Sequence, residues 1–300
     1  MDDDSPGLAV AARGLGLKGP RGWAFRGVDI ETEPGSLIAV TGPSGSGRTC
    51  LLLALTGRMR PTEGSVTVGG HRLPRQMAAL RRVAALAHVP GVTDLDPALT
   101  VGEHLRERAL LQRRFGDGLR SLLRPRAERA ATASRRVEEA LTSAGLDLDA
   151  LPKGPRTAVR DLERLEALRL SIALALIGRP GLLGVDDADL KLADAERAEM
   201  WALLRSLTEA GITVAAVCSE APDGAVTVST GGDQKTGADA TATGNDEKGR
   251  AGEATAEDGG NTGATDETAE DTDKTRAGDA TVKDDEKEAA ADALAETGRS

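Results

Sequence analysis

The chain has 300 residues, enough for one large domain or two small ones, and no apolar run reaches the ~18 residues that a membrane-spanning helix needs. Its formal net charge of −10 is unevenly distributed: residues 231–300 contain 19 acidic and 8 basic residues, which leaves 29 acidic and 30 basic residues in residues 1–230. Neither part has the basic excess that is typical of a nucleic-acid-binding protein, so we expect no nucleic-acid partner.

Two cysteines and four aromatic residues limit how the interior can be built. Cys50 and Cys218 lie in apolar stretches, so we predict small buried hydrophobic side chains in a reducing cytoplasm rather than a disulfide framework. The core must consist mainly of Leu, Val, Ala and Ile. Residues 1–4 are acidic and do not resemble a secretory signal peptide, so we expect none.

Short apolar runs bounded by glycine and proline predict β-strands in much of the chain. They lie at residues 8–10, 23–25, 28–30, 37–40, 65–68, 83–89, 182–185, 212–217 and 226–228. Residues 5–35 therefore predict two or three strands and a β-rich N-terminal part.

The pattern becomes helical over residues 100–178. Thr100 precedes Glu103 by three residues, which is the spacing of a capping box. Apolar residues recur at helical spacing in 137–144 and 165–176, which predicts amphipathic helices. The arginines between residues 113 and 126 leave two interpretations open, a solvated face or a contact surface for a partner or an acidic lipid membrane.

The most informative stretch is Gly-Pro-Ser-Gly-Ser-Gly-Arg-Thr at residues 42–49. It follows a predicted strand and precedes an apolar helix that ends at Gly57, which is the context of a phosphate-binding P-loop. The glycines let backbone N–H groups converge on an anion, and the helix N-terminus adds unpaired donors. Arg48 stands where a lysine is usual, and its planar guanidinium is not equivalent to an ammonium. A plain glycine-rich turn is the alternative.

Two carboxylates, Asp186 and Asp187, follow the apolar strand predicted at residues 182–185. In a P-loop fold, an Asp at the end of a neighbouring strand holds Mg²⁺, usually through water, and the hydroxyl of Thr49 would bind the same ion. Asp187 could orient or deprotonate an attacking water. A surface turn is the alternative.

The last 70 residues have a different composition from the rest. From about residue 229 the chain consists mainly of Ala, Thr, Gly, Asp, Glu and Lys, and Val282 and Leu294 are its only sizeable apolar residues. Such a segment cannot bury enough apolar surface to offset its chain entropy, so residues 231–300 are predicted to be a disordered acidic tail.

The order of these motifs resembles that of the ATP-binding subunit of ABC transporters. Residues 42–49 are similar to its Walker A motif, 61–66 to the turn and strand that follow, 99–105 to the start of its helical subdomain, and 177–187 to the approach to Walker B. The resemblance covers about residues 6–230. It implies an α/β P-loop nucleoside triphosphate hydrolase fold of the ABC type, with a β-rich N-terminal part, a helical subdomain at about 92–178 and the acidic tail at 231–300.

The resemblance also implies an ATPase that docks on a separate membrane-embedded subunit and pairs with a second ATP-binding subunit, as a homodimer or a heterodimer. Such a protein is cytoplasmic and peripheral at the inner face of the cell membrane. ATP and Mg²⁺ are its implied ligands, with Asp187 as the catalytic residue and Thr49, Asp186 and His88 at the metal. The residues implied to bind the nucleotide are Gly42, Pro43, Ser44, Gly45, Ser46, Gly47, Arg48, Thr49 and Cys50.

Several positions depart from the pattern of that family. His88 stands at the Q-loop glutamine (a loop histidine without a role is the alternative), Asp187 at the catalytic glutamate and Ser219 at the switch histidine. An ungapped count places residues 162–166 at the signature Leu-Ser-Gly-Gly-Gln, which in the family reaches the γ-phosphate from the opposite subunit. The two carboxylates there would repel a phosphate unless Arg164 compensates. Because Asp187 is one methylene shorter than the glutamate of the family, we expect slow hydrolysis.

The aromatic residue that stacks on adenine in the family is also displaced. It usually lies near the position of Gly19, and Trp23 is the only aromatic residue close by. We expect Trp23 to pack on the sheet, with an adenine platform as the alternative.

Two other functions are compatible with these departures. The chain could be a nucleotide-binding regulatory or scaffolding subunit with negligible ATPase activity, or the partner of an intact ATPase in a heterodimer. A P-loop kinase or GTPase fits less well, because the sequence has no guanine-specificity motif and the Asp pair follows a helical insertion.

Overall fold

The computed structural model describes residues 7–115 and 125–231. The predicted tail lies outside the described residues except for Gly231, and so do residues 116–124 of the predicted basic segment. Within the described ranges, no helix is long and apolar enough to cross a membrane.

The N-terminal part is an antiparallel sheet, as the sequence predicts. Its strands are β1 (Val10–Gly19), β2 (Gly22–Thr32), β4 (Glu63–Val68) and β5 (His71–Leu73), in the order β2-β1-β4-β5. Residues 23–25 and 28–30 both belong to β2, so the described part of residues 5–35 contains two long strands. Register shifts between β1 and β2 occur beyond Ala12, where β-bulges let the strands twist without separating.

A second, parallel sheet forms the centre of the fold. Its strands are β3 (Leu37–Thr41), β6 (Ala84–Leu86), β7 (Leu182–Val185), β8 (Thr213–Val217) and β9 (Val226–Ser229), in the order β6-β7-β8-β3-β9. Because β7 and β8 are buried along their whole length, their sequences are continuous apolar runs without alternation.

The strand predicted at residues 83–89 is longer than the strand that forms there, so the predicted bounds are wrong. Val83 ends a short helix, α2 (Met77–Val83), and β6 contains only three residues. The chain then turns away, because the hydroxyl of Thr93 donates to the Ala87 carbonyl at 2.9 Å and accepts from the Val89 amide at 2.8 Å.

The remaining helices include both segments in which the apolar spacing predicts a helix, but the segment 165–176 is not amphipathic, because Leu170, Ser171, Ala173 and Ala175 are buried beside its predicted face. These helices are α1 (Arg48–Leu55), α3 (Val101–Phe115), α4 (Arg126–Ser143), α5 (Arg164–Leu176) and α6 (Asp194–Glu209). The capping box predicted at the start of α3 forms: the Thr100 amide donates to Glu103 Oε2 at 2.8 Å, and the Glu103 amide donates to Thr100 Oγ1 at 3.3 Å. In α5, Leu165, Leu168, Ile172 and Leu176 are all buried, as the helical spacing predicts.

The strand order brings the predicted site together. In this parallel sheet β8 lies between β7 and β3, so the loop after β3 and the residues after β7 reach the same edge. Ligands of open α/β sheets bind at the carboxyl ends of the strands. The fold therefore places residues 42–49 and Asp186 in one region, although they are far apart in sequence.

Candidate functional site

The loop between β3 and α1 has the backbone that a phosphate cradle requires. Gly42, Gly45 and Gly47 take φ values of 145°, 82° and 85°, which favour glycine. A Cβ on Gly47 would lie 2.2 Å from the Ala24 carbonyl oxygen, whereas a Cβ on Gly45 would meet nothing within 4 Å. The loop is therefore packed against β2 on one side and open at Gly45.

The first turn of α1 faces this opening. The first bond of the helix runs from the Leu51 amide to the Gly47 carbonyl at 2.8 Å, so the amides of residues 48–50 precede the helical ladder. The first turn has no acidic residue, so nothing in it offsets the positive end of the helix dipole. Loop and helix start together suit a bound phosphate group.

The structure brings Thr49 and Asp186 into direct contact. Thr49 Oγ1 donates to Asp186 Oδ2 at 2.6 Å, across 137 residues of sequence. Asp186 is only 2% exposed, and its pKa is raised, first by burial and also by the charge of Asp187. This desolvated carboxylate beside a hydroxyl offers two hard oxygen ligands of the kind that Mg²⁺ prefers.

Few protein side chains would coordinate a metal ion bound at this point. Among the described residues, no group of three or more His, Cys, Asp or Glu side chains could hold a metal ion. Mg²⁺ commonly takes one or two protein ligands and completes its shell with water and substrate phosphates. The oxygens of Thr49 and Asp186 therefore fit Mg²⁺ bound together with a nucleotide.

Arg48 extends away from its own loop. Its Nη1 donates to the Cys218 carbonyl at the end of β8, at 3.0 Å. Cys218 is buried as predicted, and burial raises the pKa of its thiol to about 12, so it stays protonated at neutral pH. Arg48 thus ties the P-loop helix to the central strand and keeps further N–H donors for an anion.

Asp187 has a backbone conformation that is rare for a residue with a side chain. Its φ is 49°, and its amide donates to Asp186 Oδ1 at 3.1 Å. Left-handed conformations of non-glycine residues cost energy and concentrate at functional sites. The turn directs the chain out of β7 immediately after the predicted metal ligand.

Asp189 is a site-supporting residue that the sequence analysis did not identify. It is 7% exposed, and its carboxylate accepts the Ser219 amide at 2.8 Å and the Glu220 amide at 3.3 Å. It therefore joins the ends of β7 and β8 and fixes the backbone at Ser219. The sequence shows a third carboxylate within residues 186–189, but it does not show which groups this carboxylate contacts.

His88 lies beside Asp186 and contacts α5. Its carbonyl accepts the Asp186 amide at 2.7 Å, and both Nη atoms of Arg164 lie 3.3 Å from its Nε2. Because arginine can only donate, Nε2 must be the unprotonated nitrogen in this arrangement. Burial and the positive charge of Arg164 lower the pKa of His88, which agrees with a neutral imidazole.

The residues counted to the signature position form the start of α5. Leu162 and Glu163 precede the helix, whereas Arg164 begins it, so the five residues are not a continuous loop. The Glu163 amide donates to Glu166 Oε2 at 2.9 Å, which places a carboxylate over the first turn. This helix start is therefore occupied by its own side chain.

Trp23 lies on β2, but the residue is 42% exposed. The guanidinium of Arg26 lies 4.6 Å from the ring centre, and the same guanidinium forms two hydrogen bonds with Glu63, at 2.8 and 3.0 Å. The expected packing on the sheet is therefore incomplete. The alternative role as an adenine platform stays a prediction.

A cleft of about 980 Å³ lies on the other side of β6, between α2, α3 and α5. Arg58, Arg81 and Arg108 line it. Burial, together with the charges of Arg81 and Arg108, lowers the pKa of Arg58 to about 10. A cluster of like charges is thus half-desolvated along one wall of an open cleft.

Comparison with known proteins places this arrangement in context. The ABC transporter family model matches residues 25–189. The chain is 32% identical over 187 residues to the Nod factor export ATP-binding protein I of Cupriavidus metallidurans, covering 62% of this chain and 55% of that protein. It is 33% identical over 211 residues to a probable anion import ATP-binding protein of Haloferax volcanii, covering 69% of this chain and 70% of that protein.

Two solved structures share the fold. The ATP-binding cassette MJ0796, in a dimeric state bound to ADP and Pi, superposes with a TM-score of 0.55 at 23% identity, covering 70% of this chain and 88% of that one. The protein cbiO1 of Clostridium perfringens, part of the complex cbiONQ, superposes with a TM-score of 0.56 at 19% identity, covering 70% and 78%. The predicted fold is confirmed by these superpositions, and the family resemblance by the matched residues.

Proposed function

Because this chain belongs to the ABC transporter family, we propose that it binds ATP with Mg²⁺ and hydrolyses it slowly as the ATP-binding subunit of a membrane transport system. Members of the family are ATP-binding proteins and ATPases. The observation that supports the proposal most is the 2.6 Å contact between Thr49 Oγ1 and Asp186 Oδ2 at the end of the P-loop. It joins a phosphate cradle to a buried carboxylate, which is what a nucleotide with Mg²⁺ requires.

We assign the roles at the site as follows. Residues 42–50 bind the phosphates of ATP, with the backbone amides of residues 48–50 among the donors, and Thr49 and Asp186 hold Mg²⁺. When bound, Mg²⁺ neutralises charge on the phosphate oxygens. Asp187 orients the attacking water, and because its side chain is one methylene shorter than glutamate, we expect slow turnover. Because Nε2 is unprotonated and faces Arg164, the neutral His88 carries its proton on Nδ1, so it reaches the metal only indirectly, by donating from Nδ1 to a nearby water or phosphate oxygen.

We propose the domain organisation that the sequence predicts. Residues 6–230 form the ATP-binding domain, with a helical subdomain at about 92–178 that corresponds to α3, α4 and α5. Residues 231–300 form a separate acidic segment. The support within the described residues is that the last strand of the central sheet, β9, ends at Ser229.

The proposed partner is a membrane-embedded subunit, which would keep this chain at the inner face of the membrane. The arginine-lined cleft supports a docking surface there. Arg58, Arg81 and Arg108 donate to backbone carbonyls, and the carboxylates of residues 94, 96 and 107 line the same cleft. Because the lining carries both signs of charge, we expect the docking segment of the partner to be polar.

Specific observations favour pairing with a different ATP-binding subunit over pairing with a second copy. At the start of α5, Glu166 Oε2 already accepts the Glu163 amide, and Arg164 is turned toward His88 of its own chain. This surface offers carboxylates to the nucleotide of a second copy. A partner with an intact signature would complete the site of this chain, and without one the chain would act as a nucleotide-binding regulatory subunit.

Phosphate release from MgATP tests the proposal. The purified chain is compared with Asp187→Asn, and ATP binding is measured in the same samples. Release that disappears in the variant supports an ATPase in which Asp187 works on the water. Binding without release in either protein favours the regulatory subunit or the heterodimer, and absence of ATP binding would contradict the proposal.

A further inference from the structure

We propose that Arg164 acts within its own chain as the cation that faces the γ-phosphate of bound ATP. This inference rests on the nucleotide site proposed above. The resemblance implies that this position of the fold normally serves the nucleotide of the opposite subunit. A side chain that acts on the nucleotide of its own chain would be a property of this sequence.

A series of hydrogen bonds through two intervening residues connects Arg164 to the P-loop. Its two Nη atoms lie 3.3 Å from His88 Nε2. The carbonyl of His88 accepts the Asp186 amide at 2.7 Å, and Asp186 Oδ2 accepts the Thr49 hydroxyl at 2.6 Å. Two residues, His88 and Asp186, therefore separate the guanidinium from the hydroxyl of the P-loop.

The guanidinium has donors that its present contacts do not use. Nε is buried and has no hydrogen-bond partner among the described residues. The group that the guanidinium contacts, His88, is a neutral acceptor and does not itself compensate the positive charge. A half-buried cation with an unsatisfied N–H is stabilised when an anionic acceptor arrives.

The charges around this point identify that acceptor. Asp186 and Asp187 place two carboxylates beside the cradle, so a third anion needs a cation near it. Asp187 already attracts Arg164 electrostatically. Arg48 is partly committed, because its Nη1 donates to the Cys218 carbonyl at 3.0 Å. A planar guanidinium suits phosphate oxygens, and an arginine opposite the γ-phosphate is a recognised way to stabilise phosphoryl transfer.

The test compares two nucleotides that differ in the γ-phosphate. Affinities of MgADP and of the Mg²⁺ complex of adenylyl imidodiphosphate, a non-hydrolysable ATP analogue, are measured by calorimetry. The variants are Arg164→Gln, which removes the charge, and Arg164→Lys, which keeps it. Arg160→Ala is the matched control, because Arg160 is exposed and lies just before α5.

We expect Arg164→Gln to lower the affinity for the triphosphate analogue by on the order of tenfold, as for the loss of one charge-assisted hydrogen bond. The affinity for MgADP should change by less than about twofold. Arg164→Lys should recover part of the loss, and Arg160→Ala should match the original chain. MgADP binding also reports that each variant is folded. A merely structural role of Arg164 would weaken both nucleotides alike.

A mixing experiment separates action within one chain from action on a second copy. Arg164→Gln is mixed with a Thr49→Val, Asp186→Asn double variant, which keeps Arg164 but lacks the proposed metal ligands. Our proposal predicts that the mixture does not recover analogue affinity. Recovery, equal losses for both nucleotides, or no loss for either would overturn it. If the unmodified chain binds MgADP and the analogue with equal affinity, the γ-phosphate adds nothing to binding and the proposal for Arg164 is wrong. If the chain binds neither nucleotide, the proposed function itself is wrong.

Discussion

At the scale of single residues, Asp186 shows how a functional carboxylate can weaken its own fold. It is buried, and burial raises its pKa, so the folded chain holds the charged form less readily than the unfolded chain. A raised carboxylate pKa contributes stability below the unfolded pKa, and that contribution is lost as pH rises through the folded value. At neutral pH the ionised Asp186 therefore costs stability when no ligand is bound.

Asp186→Asn should stabilise the nucleotide-free chain at pH 7.5. The buried charge is removed and the amide oxygen can still accept the Thr49 hydroxyl, although the Asp187 amide, which donates to Oδ1 at 3.1 Å, would then face the NH2 group and offset part of the gain. A gain of about 1 kcal/mol would raise the melting temperature by about 2–4 °C in a domain of this size. The same variant should lose the stabilisation that MgATP gives the original chain, which thermal melts with and without MgATP measure together.

Asp189→Asn is the matched comparison, because it makes the same chemical change three residues away. Oδ2 of Asp189 accepts the amides of Ser219 and Glu220, and the Ser219 amide also lies 3.1 Å from Oδ1, where an asparagine would place an NH2 donor against it. We expect its melting temperature to fall. Equal shifts in the two variants would show that burial of charge is not what distinguishes Asp186.

The titration of His88 makes the stability of the fold depend on pH. Burial and then Arg164 lower its pKa, so it stabilises the fold above its unfolded pKa of about 6.5, and this contribution is lost as pH falls toward the folded value. The melting temperature of the original chain should therefore drop more between pH 7.5 and 5.5 than that of His88→Asn. We expect a difference of roughly 2 °C.

The same melts on Arg164→Gln separate the two causes. Removing the neighbouring positive charge leaves burial in place, so the pH dependence should become intermediate between those of the original chain and His88→Asn. If His88→Asn and the original chain lose the same stability on acidification, His88 does not titrate as the structure indicates.

At the scale of elements, the packing of α1 on β7 positions the two halves of the site. Gly184 lies in β7, and a Cβ there would lie 2.7 Å from Leu86 Cδ2 and 3.1 Å from Leu52 Cδ1. The missing side chain lets β6 and α1 approach β7 closely. This approach is what brings Thr49, in the first turn of α1, to Asp186 at the end of β7.

Gly184→Ala should therefore destabilise the chain and weaken nucleotide binding together. Overpacking of a filled core costs about 1–3 kcal/mol, which corresponds to a melting temperature lower by several degrees. Gly19→Ala is the stability control, because the nearest atom to its Cβ would be 3.9 Å away and its φ is not positive. A Gly184→Ala variant as stable as the control would contradict this packing argument.

The sequence could predict the elements whose pattern has one physical explanation. β3, β7 and β8 are continuous apolar runs of strand length, as buried parallel strands are. Val83 and the residues of β6 form one short apolar stretch. Periodicity cannot distinguish the end of a helix from a strand over so few residues, so the sequence does not predict the boundary between α2 and β6 at residue 84. The P-loop motif predicted that Thr49 and Asp186 meet, because both elements have a known place in the fold.

The contact between Arg164 and His88 could not be predicted in the same way. The two residues are 76 positions apart, and neither belongs to a motif that specifies the other. Only the packing of α5 beside the chain that follows β6 brings them together. Asp189 was missed for the same reason, because its partners are backbone amides, which leave no trace in the pattern of side chains.

At the scale of the whole molecule, the site depends on elements from across the described chain. β3 and α1 supply the cradle, β7 the carboxylates, β8 the anchor for Arg48, and α5 a cation. MJ0796 and the Haloferax volcanii relative each cover about 70% of the chain, and the family model matches residues 25–189, which contain β3, α1, β7 and α5. Our central claim is that this part binds ATP through the P-loop with Mg²⁺ at Thr49 and Asp186.

The most direct test of that claim is calorimetric binding of ATP, with and without Mg²⁺, to Thr49→Val and to Thr227→Val. Thr49→Val removes only the hydroxyl that contacts Asp186, and Thr227→Val makes the same change on the exposed side of β9. We predict that the Mg²⁺-dependent gain in ATP affinity is lost in Thr49→Val and unchanged in Thr227→Val. A Thr49→Val chain that keeps the full gain would contradict the proposed metal site.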